Sequence, residues 1–242
     1  MVVNKVYDIK NLQQSHQVCL GWVTEGGRVL EFGPATGYMS RVMRDDLGCH
    51  VTGFEYSPEA AEQATQFCEQ MVVGDIEDSQ NWRMLRPPYD AVLFVDVLEH
   101  LRNPSVVLAN CRTILSANGR VLISVPNIAH WTIRRNLLRG NFDYTSSGIL
   151  DNTHLKFFTK KTIIEMVEGA GFLVEEMTFS KMNYPGDTIF QRMHLMRLKK
   201  HINSLFDTVF PNAAAYQFFL NCRLNPAVPI SVTNYTHETV KA

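Results

Sequence analysis

Between residues 28 and 125, five short apolar runs rich in β-branched residues alternate with segments of helical pattern, and nothing else in the chain restricts its fold as strongly. The runs are RVLEFG (28–33), HVTGFE (50–55), QMVVGD (70–75), DAVLFVD (90–96) and GRVLISV (119–125). Each is apolar almost throughout instead of alternating, as suits strands covered on both faces in a parallel sheet. The intervening segments open with helix-start signals: Ser57 before Pro58, and Asn103 before Pro104. Two more strands are expected at FLVEEMTFSKM (172–182) and AAAYQFFLNCRL (213–224), separated by a mostly helical insertion at 185–212. The expectation is an α/β chain forming one domain over residues 1–242.

In such a fold, ligands bind at the carboxyl ends of the strands, so the turn after the first run is informative. That turn reads VLEFGPATGYMS, residues 29–40. A dinucleotide fingerprint beginning at Gly33 requires glycine at positions 35 and 38, where this chain has Ala35 and Tyr38. No Gly-Lys pair follows to make a phosphate-binding P-loop. Glu31, two residues before Gly33, would repel a pyrophosphate seated on the following helix N-terminus. A ligand with cationic groups and no phosphate fits better, and S-adenosylmethionine is one, with an ammonium, a sulfonium and a footprint that needs close backbone approach at Gly33 and Gly37. Glu55 ends the second run, 22 residues past Gly33, where a carboxylate can accept from a ribose diol. Asp75 ends the third, placed to accept from an adenine amino group, and Asp96 ends the fourth beside the crevice.

Taken together, ExGxxxG after strand one, an acid after strand two, GD after strand three and DVLEHL after strand four resemble the class I S-adenosylmethionine-dependent methyltransferases. YDIKNLQQSH, VPNIAHW and GNFDYTSSGILDNTHLKFFT extend the similarity to a bacterial branch acting on small molecules or glycans. The resemblance implies a Rossmann-like, seven-stranded, mostly parallel sheet with an antiparallel last strand. It implies S-adenosylmethionine as cofactor, held by Glu31, Gly33, Ala35, Gly37, Glu55, Tyr56, Asp75, Ile76 and Asp96, with His16 contributed from an N-terminal helical lid over residues 1–27. Methyl transfer to a hydroxyl or amine of a small molecule or glycan is the expected activity. Two other readings stay open: a catalytically silent S-adenosylmethionine-binding module that regulates a partner, and a nicotinamide-dependent oxidoreductase, which Glu31 and the missing glycines disfavour.

The sulfonium is already an activated leaving group, so a hydroxyl acceptor asks the protein for alignment and proton removal. The chain leaves strand five at Val125 and must pass over the cofactor edge, which makes residues 127–160 the expected acceptor-side wall. His154 in DNTHLKFFT is the first candidate base, with Asp151 three residues earlier as its orienting partner, and His130 in VPNIAHW is the second. His100 is expected to pack or cap locally. Trp131, Phe142, Tyr144, Phe157 and Phe158 can line an acceptor pocket or form the segment's own core. His130, His154 and the aspartates show no metal-ligand spacing, and no metal is expected.

The remaining features exclude classes of function. With 23 Lys+Arg against 24 Asp+Glu, the chain lacks the positive field that nucleic-acid binding needs. Its five cysteines are odd in number and never in a C-x-x-C pair, so free thiols in a reducing cytoplasm are expected instead of disulfides or zinc. No signal-peptide core or membrane-length apolar stretch is apparent, and the basic face of HLMRLKKHIN (194–203) reads as solvated. Partners are therefore a small-molecule or glycan acceptor and, by self-association, a homodimer.

Overall fold

The structure, a computed structural model, describes residues 14–182, 203–206 and 208–229. Helix α1 (Gln14–Leu20) leads into β1 (Arg28–Phe32), α2 (Tyr38–Asp45), β2 (His50–Glu55), α3 (Pro58–Thr65), β3 (Gln70–Val73), α4 (Ser79–Trp82) and β4 (Tyr89–Val95). After a 3-10 turn at Leu98–His100 come α5 (Pro104–Cys111), β5 (Leu115–Pro126), α6 (Trp131–Leu137), α7 (Lys160–Gly169), β6 (Phe172–Lys181), α8 (Pro211–Ala214) and β7 (Ala215–Leu224). The seven strands form one sheet in the order β3-β2-β1-β4-β5-β7-β6. Neighbours from β3 to β5 pair in parallel, and β7 pairs antiparallel with both β5 and β6. The sheet is thus the mostly parallel one expected, with its last strand reversed. No described helix is long and apolar enough to cross a membrane.

The continuous hydrophobicity of the strands has the anticipated cause. In β1, Leu30 and Phe32 face one core with Phe54, Phe94, Val121, Leu108 and Val167, while Val29 faces a second core with Val51, Leu93, Met39 and Met43. Successive side chains therefore enter different layers, and both layers are dry. Glu31 shares the face of Val29, so the one carboxylate in β1 points towards α2 and is buried.

The helix starts differ in how they are made. Ser57 caps α3 by accepting from the Ala60 N–H at 3.3 Å. Asn103 precedes Pro104 as expected but makes no side-chain cap. Its own N–H and that of Arg102 donate to the Glu77 carboxylate, at 2.6 and 3.1 Å, which ties the start of α5 to the β3–α4 loop. Strand β5 begins at Leu115, four residues before the apolar run, because Leu115 already pairs with Tyr89 ahead of a bulge. Much of the expected insertion at 185–212 and of the lid at 1–27 lies outside the described residues. Within them, α1 belongs to the lid segment, and residues 203–206 and 208–209 are helical.

Candidate functional site

The parallel strands β1 to β4 end on the same edge, and each ends in a turn that carries polar groups. After β1 the chain turns sharply: Gly33 takes φ +68°, Ala35 φ +49° and Gly37 φ +82°. The Gly33 N–H donates to the Phe54 carbonyl at 2.8 Å and the Gly37 N–H to Pro34 at 2.8 Å, so the turn closes before α2 begins at Tyr38. Ala35 is in a conformation that favours glycine, and Glu55 holds it there. One carboxylate oxygen of Glu55 accepts from the Ala35 N–H at 2.9 Å, and the other accepts from the Ser57 N–H at 3.0 Å. Glu55 thereby ties the β1–α2 turn to the β2–α3 turn with its orientation fixed by two amides.

Beneath this turn lies Glu31, which accepts from the Ser40 hydroxyl at 2.5 Å. Burial pushes its carboxyl from the usual 4.5 up to about 7, against the Ser40 hydrogen bond and with help from the Glu55 charge. In the unfolded chain Glu31 ionises near 4.5, whereas in the fold it keeps its proton to about 7, so stability is full below the lower value and falls as pH rises to the higher one. The ligand-free protein is expected to lose stability on the order of 3 kcal/mol through this group as pH rises from about 4.5 to about 7. Urea unfolding across that range measures the loss, and Glu31→Gln is expected to remove it.

The other residues singled out in the sequence occupy the same edge. Asp75 is exposed beyond the end of β3, and one of its oxygens accepts from the Glu77 N–H at 2.8 Å. Ile76 is half-buried, its carbonyl accepting from the Trp82 indole at 2.7 Å. Tyr56, 69% exposed, projects from the β2–α3 turn as an open aromatic surface. Asp96 sits at φ +58° at the end of β4 and accepts from the Ser124 hydroxyl at 2.7 Å and from the Gln217 amide of β7. His16, on α1, is buried against Tyr38, its Nε2 lying 2.9 Å from the phenol oxygen. Burial lowers its pKa to about 4, so the ring is neutral at physiological pH.

After β5, residues 127–160 fold back onto the edge. Asn127 bridges to Phe158, and the Leu155 and Lys156 N–H groups both donate to the Glu99 carbonyl, at 2.8 and 2.9 Å. His130 begins α6 as its N-cap and is fully buried. Its Nδ1 lies 2.7 Å from the Thr132 hydroxyl and its Nε2 3.1 Å from the Met182 carbonyl, so both ring nitrogens serve internal contacts. His154 places its Nδ1 3.1 Å from the Ile149 carbonyl and its Nε2 4.0 Å from Oε1 of Glu99. Asp151 accepts from the Thr153 N–H at 2.9 Å and hydroxyl at 2.6 Å, and Oε1 of Glu99 lies 4.0 Å from the His154 Nε2.

Glu99, His100 and His154 bring their ligand-type atoms within 4.8 Å of one another, a juxtaposition that linear spacing did not show. Glu99, Ser124 and Gln217 are the site-edge residues that sequence reasoning missed. Glu99 stands three residues after Asp96 within DVLEHL, but only the 3-10 turn at Leu98–His100 buries it, and a single turn leaves no periodic signal.

The family profile described as "Methyltransferase domain" matches residues 7–177 of this chain. The ubiquinone biosynthesis O-methyltransferase of Aeromonas salmonicida (strain A449) is 30% identical over 192 residues, covering 71% of this chain and 76% of its own length. Among solved structures, an S-adenosylmethionine-dependent methyltransferase from Archaeoglobus fulgidus superposes with a TM-score of 0.60 at 15% identity, covering 89% of this chain and 94% of its own. The magnesium protoporphyrin IX methyltransferase of Synechocystis PCC 6803, solved with bound S-adenosylhomocysteine, superposes at a TM-score of 0.57 and 15% identity, covering 86% and 81%. The sheet order, the reversed seventh strand, the acid-bearing turn after β1 and the family match over most of the chain lead to one assignment: the chain belongs to the class I S-adenosylmethionine-dependent methyltransferases.

Proposed function

We propose that the chain transfers a methyl group from S-adenosylmethionine to a hydroxyl of a small molecule. The observation that carries this reading is the meeting at one sheet edge of the Glu31–Gly37 turn, the Glu55 carboxylate and the segment 127–160. In this reading Glu31 compensates the ligand's ammonium, the backbone from Gly33 through Ala35 to Gly37 passes close beneath it, and Glu55 accepts from the ribose diol. Asp75, Ile76 and Tyr56 border the adenine, Asp96 faces the methionine end, and His16 with Tyr38 closes the α1 side. The donor group fits these residues because an acid at the end of β1 favours a cationic ligand and disfavours a phosphate.

The bound sulfonium supplies a methyl already activated for displacement. The chain must then line up the acceptor oxygen, exclude water and see the hydroxyl proton away as the oxygen–carbon bond forms and the carbon–sulfur bond breaks. Of the two imidazoles, His154 is the one in this role. Both nitrogens of His130 are engaged in capping and in holding Met182, whereas His154 turns its Nε2 to the Glu99 carboxyl at the acceptor-side edge. A hydroxyl acceptor is further supported by the O-methyltransferases among the relatives.

Parallel titration with S-adenosylhomocysteine and NAD, followed by a screen for transfer of labelled methyl, tests the proposal. At about 100 times its Kd, S-adenosylhomocysteine is expected to stabilise by about 2.7 kcal/mol, or roughly 5–10 °C in a chain of this size, and NAD is expected to have no effect. Label should appear on phenols, catechols or sugar hydroxyls. Label on amines alone would remove the hydroxyl assignment, and binding with no transfer to any acceptor class would favour a regulatory module.

A further inference from the structure

Strand β7 is the last to enter the sheet, yet one of its side chains reaches the end of β4. Gln217 pairs in register with Pro126 of β5, so it shares a sheet face with Ser124, two residues before that proline. Its side-chain nitrogen donates to Oδ1 of Asp96 and, at 3.2 Å, to Oγ of Ser124. The Ser124 hydroxyl donates to the same Oδ1 at 2.7 Å and accepts from the Asp96 N–H at 3.1 Å. The one hydrogen and two lone pairs of that hydroxyl are thereby all used, as are both hydrogens of the Gln217 amide. Turning the amide over would set its oxygen against the Asp96 carboxylate, so the network has a single arrangement.

Asp96 supplies a second, independent sign. Its backbone sits at φ +58°, a costly region for a residue with a side chain, and residues held there cluster where ligands bind. The residue is half-buried at the edge where β4 ends. With Oδ1 held by donors from both β5 and β7, the direction of the whole carboxylate is set. Glu31 is placed differently: 3% exposed beneath the β1–α2 turn and engaged with Ser40, it acts on a ligand through its charge, whereas Asp96 stands where a ligand atom can touch it.

We propose that Gln217 is a positioning residue for the methyl donor: together with Ser124 it fixes the Asp96 carboxylate so that this group accepts a hydrogen bond from the ammonium of S-adenosylmethionine. The inference rests on the methyl-transfer reading above and gives the reversed last strand a part in donor recognition. The ammonium ends a flexible arm, and a charge-assisted bond to it depends on direction as well as distance. A carboxylate already held in that direction spares the complex the cost of ordering it, whereas one that rotates must be ordered by the ligand. Gln217 takes no part in the bonds made and broken during transfer, so its loss is expected to raise the KM for the donor more than it lowers kcat.

The test sets two ligands against the whole chain by calorimetry: S-adenosylhomocysteine and its deaminated analogue, in which hydrogen replaces the ammonium. Wild type is expected to bind the analogue at least roughly 10-fold more weakly, as suits the loss of hydrogen bonding to a charged group. Gln217→Met keeps the bulk of the side chain and removes its donor. In this variant S-adenosylhomocysteine is expected to weaken by roughly 10-fold and the analogue by less than about 2-fold, so the ratio between them collapses. A merely structural role lowers both affinities together, and a ratio that keeps its wild-type value overturns the proposal. Equal affinity of wild type for the two ligands overturns it as well. If Gln217→Met has no cooperative melting transition, Ser124→Ala, which removes the other donor to Asp96, decides by the same ratio. A wild-type chain that binds neither ligand removes the methyl-transfer reading itself. A ratio that falls in Asp96→Asn but not in Gln217→Met leaves that reading standing and removes only the role of Gln217.

Discussion

Gly33→Val is expected to leave the chain with no measurable affinity for S-adenosylhomocysteine at millimolar ligand. The residue sits at φ +68°, a region nearly closed to β-branched side chains, and a Cβ there would lie 2.9 Å from the Val97 side chain. Relief requires the turn to lift away from β4. That movement strains the hydrogen bond from the Gly33 N–H to Phe54 and carries Ala35 away from the Glu55 carboxylate it anchors. One substitution thus disturbs both the close-approach surface and the acceptor proposed for the ribose, and a loss of at least roughly 10³-fold, about 4 kcal/mol, is expected. Gly33→Ala should fall between wild type and valine. Calorimetry on protein that retains a cooperative melting transition checks the result; affinity surviving the valine change would place the ligand elsewhere.

His154→Ala is expected to lower methyl transfer by about 10²-fold or more with S-adenosylhomocysteine affinity intact. The ring is held at Nδ1 by Ile149 and turned at Nε2 towards Glu99, on the segment that Leu155 and Lys156 fasten to the turn after β4. Removal therefore leaves the turns after β1 and β2 untouched. His130→Ala makes the contrast: it deletes a fully buried ring with contacts at both nitrogens, so it should lower stability while each folded molecule retains its rate of transfer. Single-turnover rates with labelled donor, set beside melting temperatures, separate the two. A His154→Ala variant with wild-type rates would remove the residue from the reaction.

The parts of this molecule that were legible in its chain are those governed by local rules. Parallel strands announce themselves because both faces are dry, and the acids at their ends stand out because β1 to β4 terminate on one edge. The reversal of β7 had no local signal and came from family resemblance. His130 was a fair candidate by composition, yet histidine is not a favoured helix cap, and only the fold shows Thr132 and Met182 taking up its nitrogens. Glu99 was passed over because an acid in a polar motif reads as solvated. Glu99 is buried at the 3-10 turn, and the N–H groups of Leu155 and Lys156, more than 50 residues away, donate to its carbonyl. Likewise Gln217 reaches Asp96 across 121 residues, a pairing that depends on β7 lying beside β5.

The position of β7 has a bearing on how the chain is made. Strand β6 is joined to the sheet only through β7, which is the later of the two to leave the ribosome. Until it emerges, β5 presents an open ladder from Arg120 to Pro126 and β6 has no neighbour with which to pair. The nascent protein therefore carries two unpaired strand edges at once, each rich in apolar residues, over the interval in which residues 182–214 are translated. A pause there prolongs the most aggregation-prone state of the polypeptide, and release before residue 215 yields a product that holds β1 to β5 with no means of sealing the sheet.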